Sequence, residues 1–248
     1  MGKFLIDLVS PNNEIRQQRE GEVDIFLKSD LDNFLKLLIE YSIAYNDQRY
    51  TTVGLVLFLN TCLKRDDLYR RANQETIKYV YEQLSNYINE KLYMIPKGCD
   101  KRIAEILAKI AIKDGKDSEF IEETINKWND SNSTSKIYLL YCLEMIFEFS
   151  FGDEVIEAFL DSIVLIIKSG FETNDNNIMV ATSCALGMLL GILKNESSIL
   201  KLENSIIKMI RLLVEIIKCK DNDHGIKIVG ILDDFANFHP KSNKRNIQ

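Results

Sequence analysis

Lys101-Arg102-Ile103-Ala104-Glu105-Ile106-Leu107-Ala108-Lys109-Ile110-Ala111 sets apolar residues at 103, 106, 107 and 110. That is the i, i+3, i+4, i+7 spacing that lines one face of an α-helix and demands a partner surface. Toward the amino terminus the same steps recur as Ile77, Val80, Tyr81, Leu84, as Leu55, Phe58, Leu59, Cys62, and as Leu31, Phe34, Leu35, Leu38. Toward the carboxyl terminus they recur as Cys142, Met145, Ile146, Phe149, as Ile156, Phe159, Leu160, Ile163, and as Ile228, Ile231, Leu232, Phe235. The longest version runs through Ile199, Leu202, Ile206, Ile210, Leu213 and Ile217. No alternation of strand type competes, and 3 prolines and 11 glycines in 248 residues are too few for the closely spaced turns of an all-β sandwich. The chain reads as all-α.

Polar turn signals separate the stripes at Ser10-Pro11-Asn12-Asn13, Tyr45-Asn46-Asp47, Ile95-Pro96-Lys97-Gly98, Asp130-Ser131-Asn132-Ser133, Thr173-Asn174-Asp175-Asn176 and Asp221-Asn222-Asp223. Their Asn, Asp and Ser side chains suit helix N-caps, and all three prolines fall outside helix interiors. The breaks recur at a mean interval of about 42 residues, the period of HEAT or armadillo helix pairs. The fold class this predicts is an α-solenoid of about six HEAT-like helix pairs, over 2–28, 30–63, 66–113, 117–150, 153–195 and 197–239, with 240–248 as a flexible tail. A single helix pair buries too little to stand alone, whereas each stacked interface contributes about 1.5–3 kcal/mol per fully buried large side chain. A one-centred bundle gives no reason for the repeated interval. Gly187 and Gly191, four apart, read as a site of close helix approach.

Composition narrows the chemistry. The net charge is −6, and residues 1–124 carry 18 basic and 21 acidic groups, so neither half has the footprint of a non-specific phosphate binder. Cys62, Cys99, Cys142, Cys184 and Cys219 stand 35 to 43 residues apart without a CxxC pair, as buried thiols of a reducing compartment do. The first ten residues hold no signal-type apolar run, and no apolar stretch reaches the ~18 residues of a membrane span. No phosphate-cradling glycine loop and no nucleophile elbow is present. Asp66-Asp67 and Asp233-Asp234 each lack the third carboxylate of a DDxxD magnesium site, and His224 and His239 lack zinc-ligand spacing. No catalytic, cofactor or metal residues are assigned, and the chain is not expected to be an enzyme.

The stretch Leu8-Val9-Ser10-Pro11-Asn12-Asn13-Glu14-Ile15-Arg16-Gln17-Gln18-Arg19-Glu20 resembles the opening repeat of importin-β superfamily (karyopherin-β) receptors. There a short apolar helix ends in Ser-Pro, a turn residue caps the second helix, and an Arg is followed by a small residue and Glu. Ser10, Pro11, Asn13, Arg16 and Glu20 match, while Arg19 stands where the family usually has alanine. Residues 101–111 are similar to the third inner helix of the family, and Trp128 lies near a common tryptophan without its usual following proline. Residues 136–149 and 153–240 are more similar to the importin-5 or karyopherin-β3 type, receptors for ribosomal proteins and histones.

The resemblance implies a nuclear transport receptor, or an amino-terminal piece of one, since family members are several times longer. It implies that residues 1–150 bind Ran-GTP through inner helices, with Arg16, Glu20, Arg102, Glu105 and Lys109 as contact candidates. It implies Phe-Gly nucleoporin segments on the outer helices of pairs five and six, with Ile156, Phe159, Ile163, Ile207 and Met209 as candidates. Basic protein cargo would sit mostly beyond Gln248, and the location would be cytoplasm, nucleus and nuclear envelope. Neither nucleic acid nor membrane is expected as a direct partner, and no cofactor. Beside these roles stand plainer ones: solvated helix charge for the first set and core packing for the second. Two other readings of the whole chain stay open, a HEAT or armadillo scaffold without GTPase dependence and an α-helical enzyme.

Overall fold

The computed structural model describes residues 2–44, 47–150, 153–193, 195–218 and 229, and no strand occurs among them. The chain divides into two compact units, Met1–Lys113 and Asp114–Gln248. In the first, α1 (Gly2–Asp7) and α2 (Asn13–Ser29) precede α3 (Leu31–Ala44) and α4 (Gln48–Phe58). A π turn, Leu59–Leu63, continues α4. Short α5 (Asp66–Arg71) then leads into long α6 (Gln74–Lys91), a 3₁₀ turn at Leu92–Met94, and α7 (Cys99–Lys113). The second unit holds α8 (Asp117–Lys127), α9 (Ser133–Phe149), α10 (Asp153–Ala158), α11 (Leu160–Phe171), α12 (Asn176–Ile192), α13 (Glu196–Leu200) and α14 (Glu203–Lys218).

The helices begin where side-chain oxygens satisfy first-turn amides. Asn12 accepts from the Glu14 and Ile15 amides, Asp47 from Arg49, Asn73 from Glu75, Asn132 from Ser135 and Asp175 from Asn177 and Ile178. Each such cap contributes about 1 kcal/mol. The chain turns ahead of α7 at Gly98, whose φ of 83° suits glycine.

Packing in each unit follows one rule. In the first, α3 lies on α4 and α6 on α7, while α3 touches α6 and α4 touches α7. First helices of successive pairs thus form one row and second helices another. In the second unit α8 packs on α9 and α11 on α12, with α9 against α12 and α8, α11 and α14 in sequence. The predicted stripes supply these contacts: Phe34, Leu35, Leu38, Leu55, Phe58, Ile77, Val80, Leu84, Ile103 and Ile106 are buried in unit one, and Cys142, Met145, Ile146, Ile156, Leu160 and Ile163 in unit two.

Three features depart from the sequence reading. The helix expected through Ile156 and Ile163 breaks at Phe159, and the one expected through Ile199 and Ile217 breaks between Leu200 and Glu203. The buried stripe survives the first break because Ile156 and Leu160 remain on the same side of it. Gly191 is not a close-approach residue: an added Cβ there meets nothing within 4 Å. Close approach occurs instead at Gly54 against Ser42 and at Gly170 against Thr182. The stripe of Ile228 to Phe235, the pairs Asp233-Asp234, the residues Cys219, His224 and His239, and the tail 240–248 lie outside the described residues.

Candidate interaction surfaces

On α2, Asn12 fixes the first turn, and Arg16 bonds back onto the preceding loop. Its guanidinium donates to the Ser10 carbonyl at 3.1 Å and to the Asn13 side chain, and it lies 3.9 Å from Glu20. The matched residues Ser10, Asn13, Arg16 and Glu20 therefore form one local clamp on the Ser-Pro turn. Arg19, the departure from the family pattern, has its own partners. It meets Asp7 at 3.1 Å and Glu22 at 2.7 Å and lies 5.9 Å from the centre of the Phe4 ring. Charge pairing at the α1–α2 contact replaces the small residue expected there, and the hydrogen bonds that Arg19 donates to Glu22 and Asp7 raise its pKa.

On α7, Arg102, Glu105 and Lys109 share a face through i, i+3 and i, i+4 spacing. Glu105 accepts from Arg102 at 2.7 Å and from Lys109 at 2.9 Å. The Glu105 and Lys109 side chains are only 10% and 13% exposed. Burial opposes ionisation of Glu105, but the hydrogen bonds from Lys109 and Arg102 outweigh it and hold the carboxyl below its usual range. Of the three, Arg102 alone is largely exposed, at 52%. The structure does not join the two sets of charges: α2 packs chiefly against α1 and α3, whereas α7 packs on α4 and α6.

The candidate apolar set divides as burial dictates. Ile156, Ile163 and Met209 are wholly buried, so they are core residues and not a surface groove. Phe159 is half-buried at the α10–α11 break, and Ile207 is 40% exposed. Sequence reading missed Leu165, 66% exposed at the middle of α11, and Val214; Ile210, expected on the stripe that packs, is instead 45% exposed and with Val214 continues the Ile207 ridge of α14. A single leucine on the solvent face leaves no periodic signal, which is why the stripe template passed over Leu165. Two ion pairs flank α11: Asp161 meets Lys201, the C-cap of α13, at 2.7 Å, and Glu172, the C-cap of α11, meets Lys208 of α14 at 3.3 Å. The apolar side chains consequently stand on helix ridges, with charges linking the helices.

The remaining sequence candidates find structural partners. Asp66 pairs with Lys113, which holds its carboxyl below the usual range, and Asp67 pairs with Arg65 at 3.2 Å. No group of His, Cys, Asp and Glu among the described residues is arranged to hold a metal ion. Trp128 is buried and donates its indole N–H to Ser169 Oγ at 3.4 Å. Burial pushes the Cys62 and Cys142 thiols up to about 12, so both are protonated near neutrality. No described helix is long and apolar enough to cross a membrane.

No family model matches the chain, and no curated protein matches it in sequence. Solved structures do. The karyopherin Kap121p bound to Nup53p superposes with a TM-score of 0.71 at 16% identity, over 95% of this chain and 22% of that one. Kap121p bound to the SUMO protease Ulp1p gives the same values, and Kap121p bound to Ste12p gives 0.70 at 17% identity over 96% of this chain. The fold is thus an α-solenoid of the karyopherin, importin-β-like HEAT kind. The likeness goes no finer than that fold and does not select the importin-5 type. The chain spans about a fifth of the length of those structures, 22%.

Proposed function

We propose that this chain acts as a binding solenoid of a nuclear transport receptor, engaging Ran-GTP through its amino-terminal helices and Phe-Gly nucleoporin segments through α11 and α14. The single observation that carries the reading is the superposition of 95% of the chain on Kap121p, a karyopherin solved in complex with Nup53p. The Ser10–Glu20 clamp, which matches the opening repeat of importin-β receptors, supports it independently of the overall fold. Within it, Glu20 and Arg102 are the exposed members of the Ran set and Arg16 a half-buried one, and Glu105 with Lys109 orients Arg102 from beneath. Leu165, Ile207 and Phe159 are the apolar members offered to an aromatic side chain. Basic cargo, and residence in cytoplasm, nucleus and nuclear envelope, belong to the same proposal. The mechanism is conformational, because a repeat that contacts only its neighbours lets small rotations add along the stack, so a GTPase at one end biases curvature that cargo senses.

One observation favours the scaffold reading instead: Glu105 and Lys109 spend their charges on each other in a largely buried pair. A scaffold needs such helix-stabilising pairs and no GTPase. Affinity for Ran loaded with a GTP analogue, compared with the GDP form, separates the two. The transport reading expects tight binding to the first only, weakened by reversal of charge at Arg16 and Arg102, and equal or absent binding by the folded protein leaves the scaffold.

A further inference from the structure

The turn between α6 and α7 carries a feature that neither the Ran nor the nucleoporin reading uses. Tyr93 is 79% exposed and Met94 50% exposed, side by side in the 3₁₀ turn. A floppy loop would spread such residues over many positions, but this one is internally bonded. The Ile95 amide donates to the Leu92 carbonyl at 3.3 Å and the Cys99 amide to the Pro96 carbonyl at 3.0 Å. Leu92, Ile95 and Pro96 are half-buried, Cys99 is buried, and its sulfur lies 3.4 Å from Thr52 Oγ1 on α4. The turn is thereby pinned at both ends, and Gly98 at φ 83° completes the reversal.

The charge around it runs against the chain. Residues 91–102 hold four cations, Lys91, Lys97, Lys101 and Arg102, and one carboxylate, Asp100, in a protein of net charge −6. The Asp100 carboxylate is directed to the Lys101 amide at 2.9 Å, and Arg102 is bound to Glu105. Of the neighbouring carboxylates, Asp47 on the adjacent start of α4 is paired with Arg49 at 3.2 Å, and Glu90 is exposed on the last turn of α6. Tyrosine and methionine are enriched at protein interfaces, and a pre-ordered loop loses little entropy when it is covered.

We propose that the α6–α7 turn is a docking point for an acidic, apolar-bearing peptide segment of a protein partner, with Tyr93 and Met94 covered by its apolar residues and Lys91 and Lys97 facing its carboxylates. A bilayer is the weaker fit, because two exposed apolar residues beside Lys97 and Lys91, the latter 5.9 Å from the centre of the Tyr87 ring, fall short of the 4–8 clustered basic residues that hold an anionic membrane. The assignment does not depend on transport function.

The test uses the full chain and a fluorescent peptide alternating Glu with Phe and Leu, a Lys-for-Glu counterpart, and vesicles of phosphatidylserine and phosphatidylcholine. The acidic peptide is expected to bind with an affinity that falls as salt rises. The pair Tyr93→Ser with Met94→Ser weakens it about tenfold, and the pair Lys91→Glu with Lys97→Glu does the same while flattening the salt dependence. All four side chains lie outside the core, and unchanged thermal unfolding of each variant verifies that. Absence of binding by the parent chain, equal binding of the basic peptide, indifference to both double variants, or preferential capture by the vesicles overturns the assignment.

Discussion

The α3–α4 crossing in the first unit and the α11–α12 crossing in the second solve one problem with the parts exchanged. In the first, the glycine is on the second helix, Gly54, and the hydroxyl is on the first, Ser42. In the second, the glycine is on the first helix, Gly170, and the hydroxyl is on the second, Thr182. Each hydroxyl bonds back to the carbonyl four residues earlier, Ser42 to Leu38 at 2.5 Å and Thr182 to Ile178 at 2.7 Å, so its polarity is satisfied within its own helix. What the two crossings share is backbone proximity, and which helix carries the missing Cβ is free. The tightness differs. A Cβ on either residue would fall well inside contact with the facing hydroxyl oxygen, but on residue 54 it would also lie 2.8 Å from Ser42 Cβ, whereas on residue 170 it would lie 3.0 Å from Thr182 Cγ2 and 3.2 Å from Thr182 Cβ.

The largest expected effect is that of Gly54→Ala. Overpacking of a well-filled contact costs about 1–3 kcal/mol and occasionally more, and this crossing belongs at or above the top of that range despite the gain in helix propensity. Gly170→Ala belongs in the middle, because rotating Thr182 relieves part of the clash. Chemical unfolding of the two variants measures the order. Rescue sharpens it: Thr182→Ala leaves only the Cβ at 3.2 Å and should restore most of the stability lost in Gly170→Ala. Ser42→Ala leaves a Cβ at 2.8 Å and should restore little in Gly54→Ala, where Ser42→Gly is required. Equal rescue by alanine in both would mean that the crossings are equally tight.

Thiol chemistry reports which unit opens. Cys62 lies in the first unit and Cys142 in the second, both buried and both with thiols pushed up to about 12, so neither reacts at neutral pH in the native state. With Gly54→Ala, labelling by a thiol reagent should accelerate at Cys62 before Cys142, and Gly170→Ala should reverse the order. Mass spectrometry of the labelled peptides reads this out. Labelling of both at one rate in each variant would show the two units opening together.

These crossings also mark where sequence reading ended. The stripes through Leu38, Leu55, Ile106 and Ile146 were legible because periodicity follows from burial on one side of a helix, and the caps at Asn132 and Asp175 were legible because amide satisfaction needs a side-chain oxygen at a fixed offset. Gly54 and Gly170 were not, since a lone glycine in a helix has no spacing, and the Gly187–Gly191 pair drew attention by its spacing while Gly191 faces open space. The candidate surfaces were legible as residue types and not as states. Nothing local distinguishes Met209, wholly buried, from Ile207, 40% exposed two residues earlier, until α14 is seen beside α11. In the same way Glu105 reads as surface charge until its burial against Lys109 is known.

The first unit has a titratable element that extends the comparison. Glu105 is held below its usual range in the folded state, whereas in the unfolded chain it titrates near the ordinary ~4.3. Its contribution to stability is complete above the unfolded value and is lost as pH falls through the depressed folded value. Glu105→Gln should therefore lower stability at neutral pH and flatten its decline between pH 5 and the onset of acid unfolding. Loss of Cys62 protection with falling pH should be steeper in the parent chain than in the variant. An identical pH profile in both would remove Glu105 from the account.

The smallest effect tests the geometry most strictly, because it has the opposite sign. Gly21 lies inside α2 and Gly191 near the end of α12, and an added Cβ meets nothing within 4 Å at either. With no steric cost, only the conformational freedom of the unfolded glycine is at stake. Gly21→Ala should stabilise by about 0.5–1 kcal/mol, and Gly191→Ala by less, since helix ends fray and recover only part of the propensity difference. One substitution made at four helical glycines thus yields two losses and two gains, ordered by the space each Cβ finds. Destabilisation by Gly191→Ala comparable to that of Gly170→Ala would show that α12 is approached closely along its whole length, and the contrast between crossings and open faces would no longer hold.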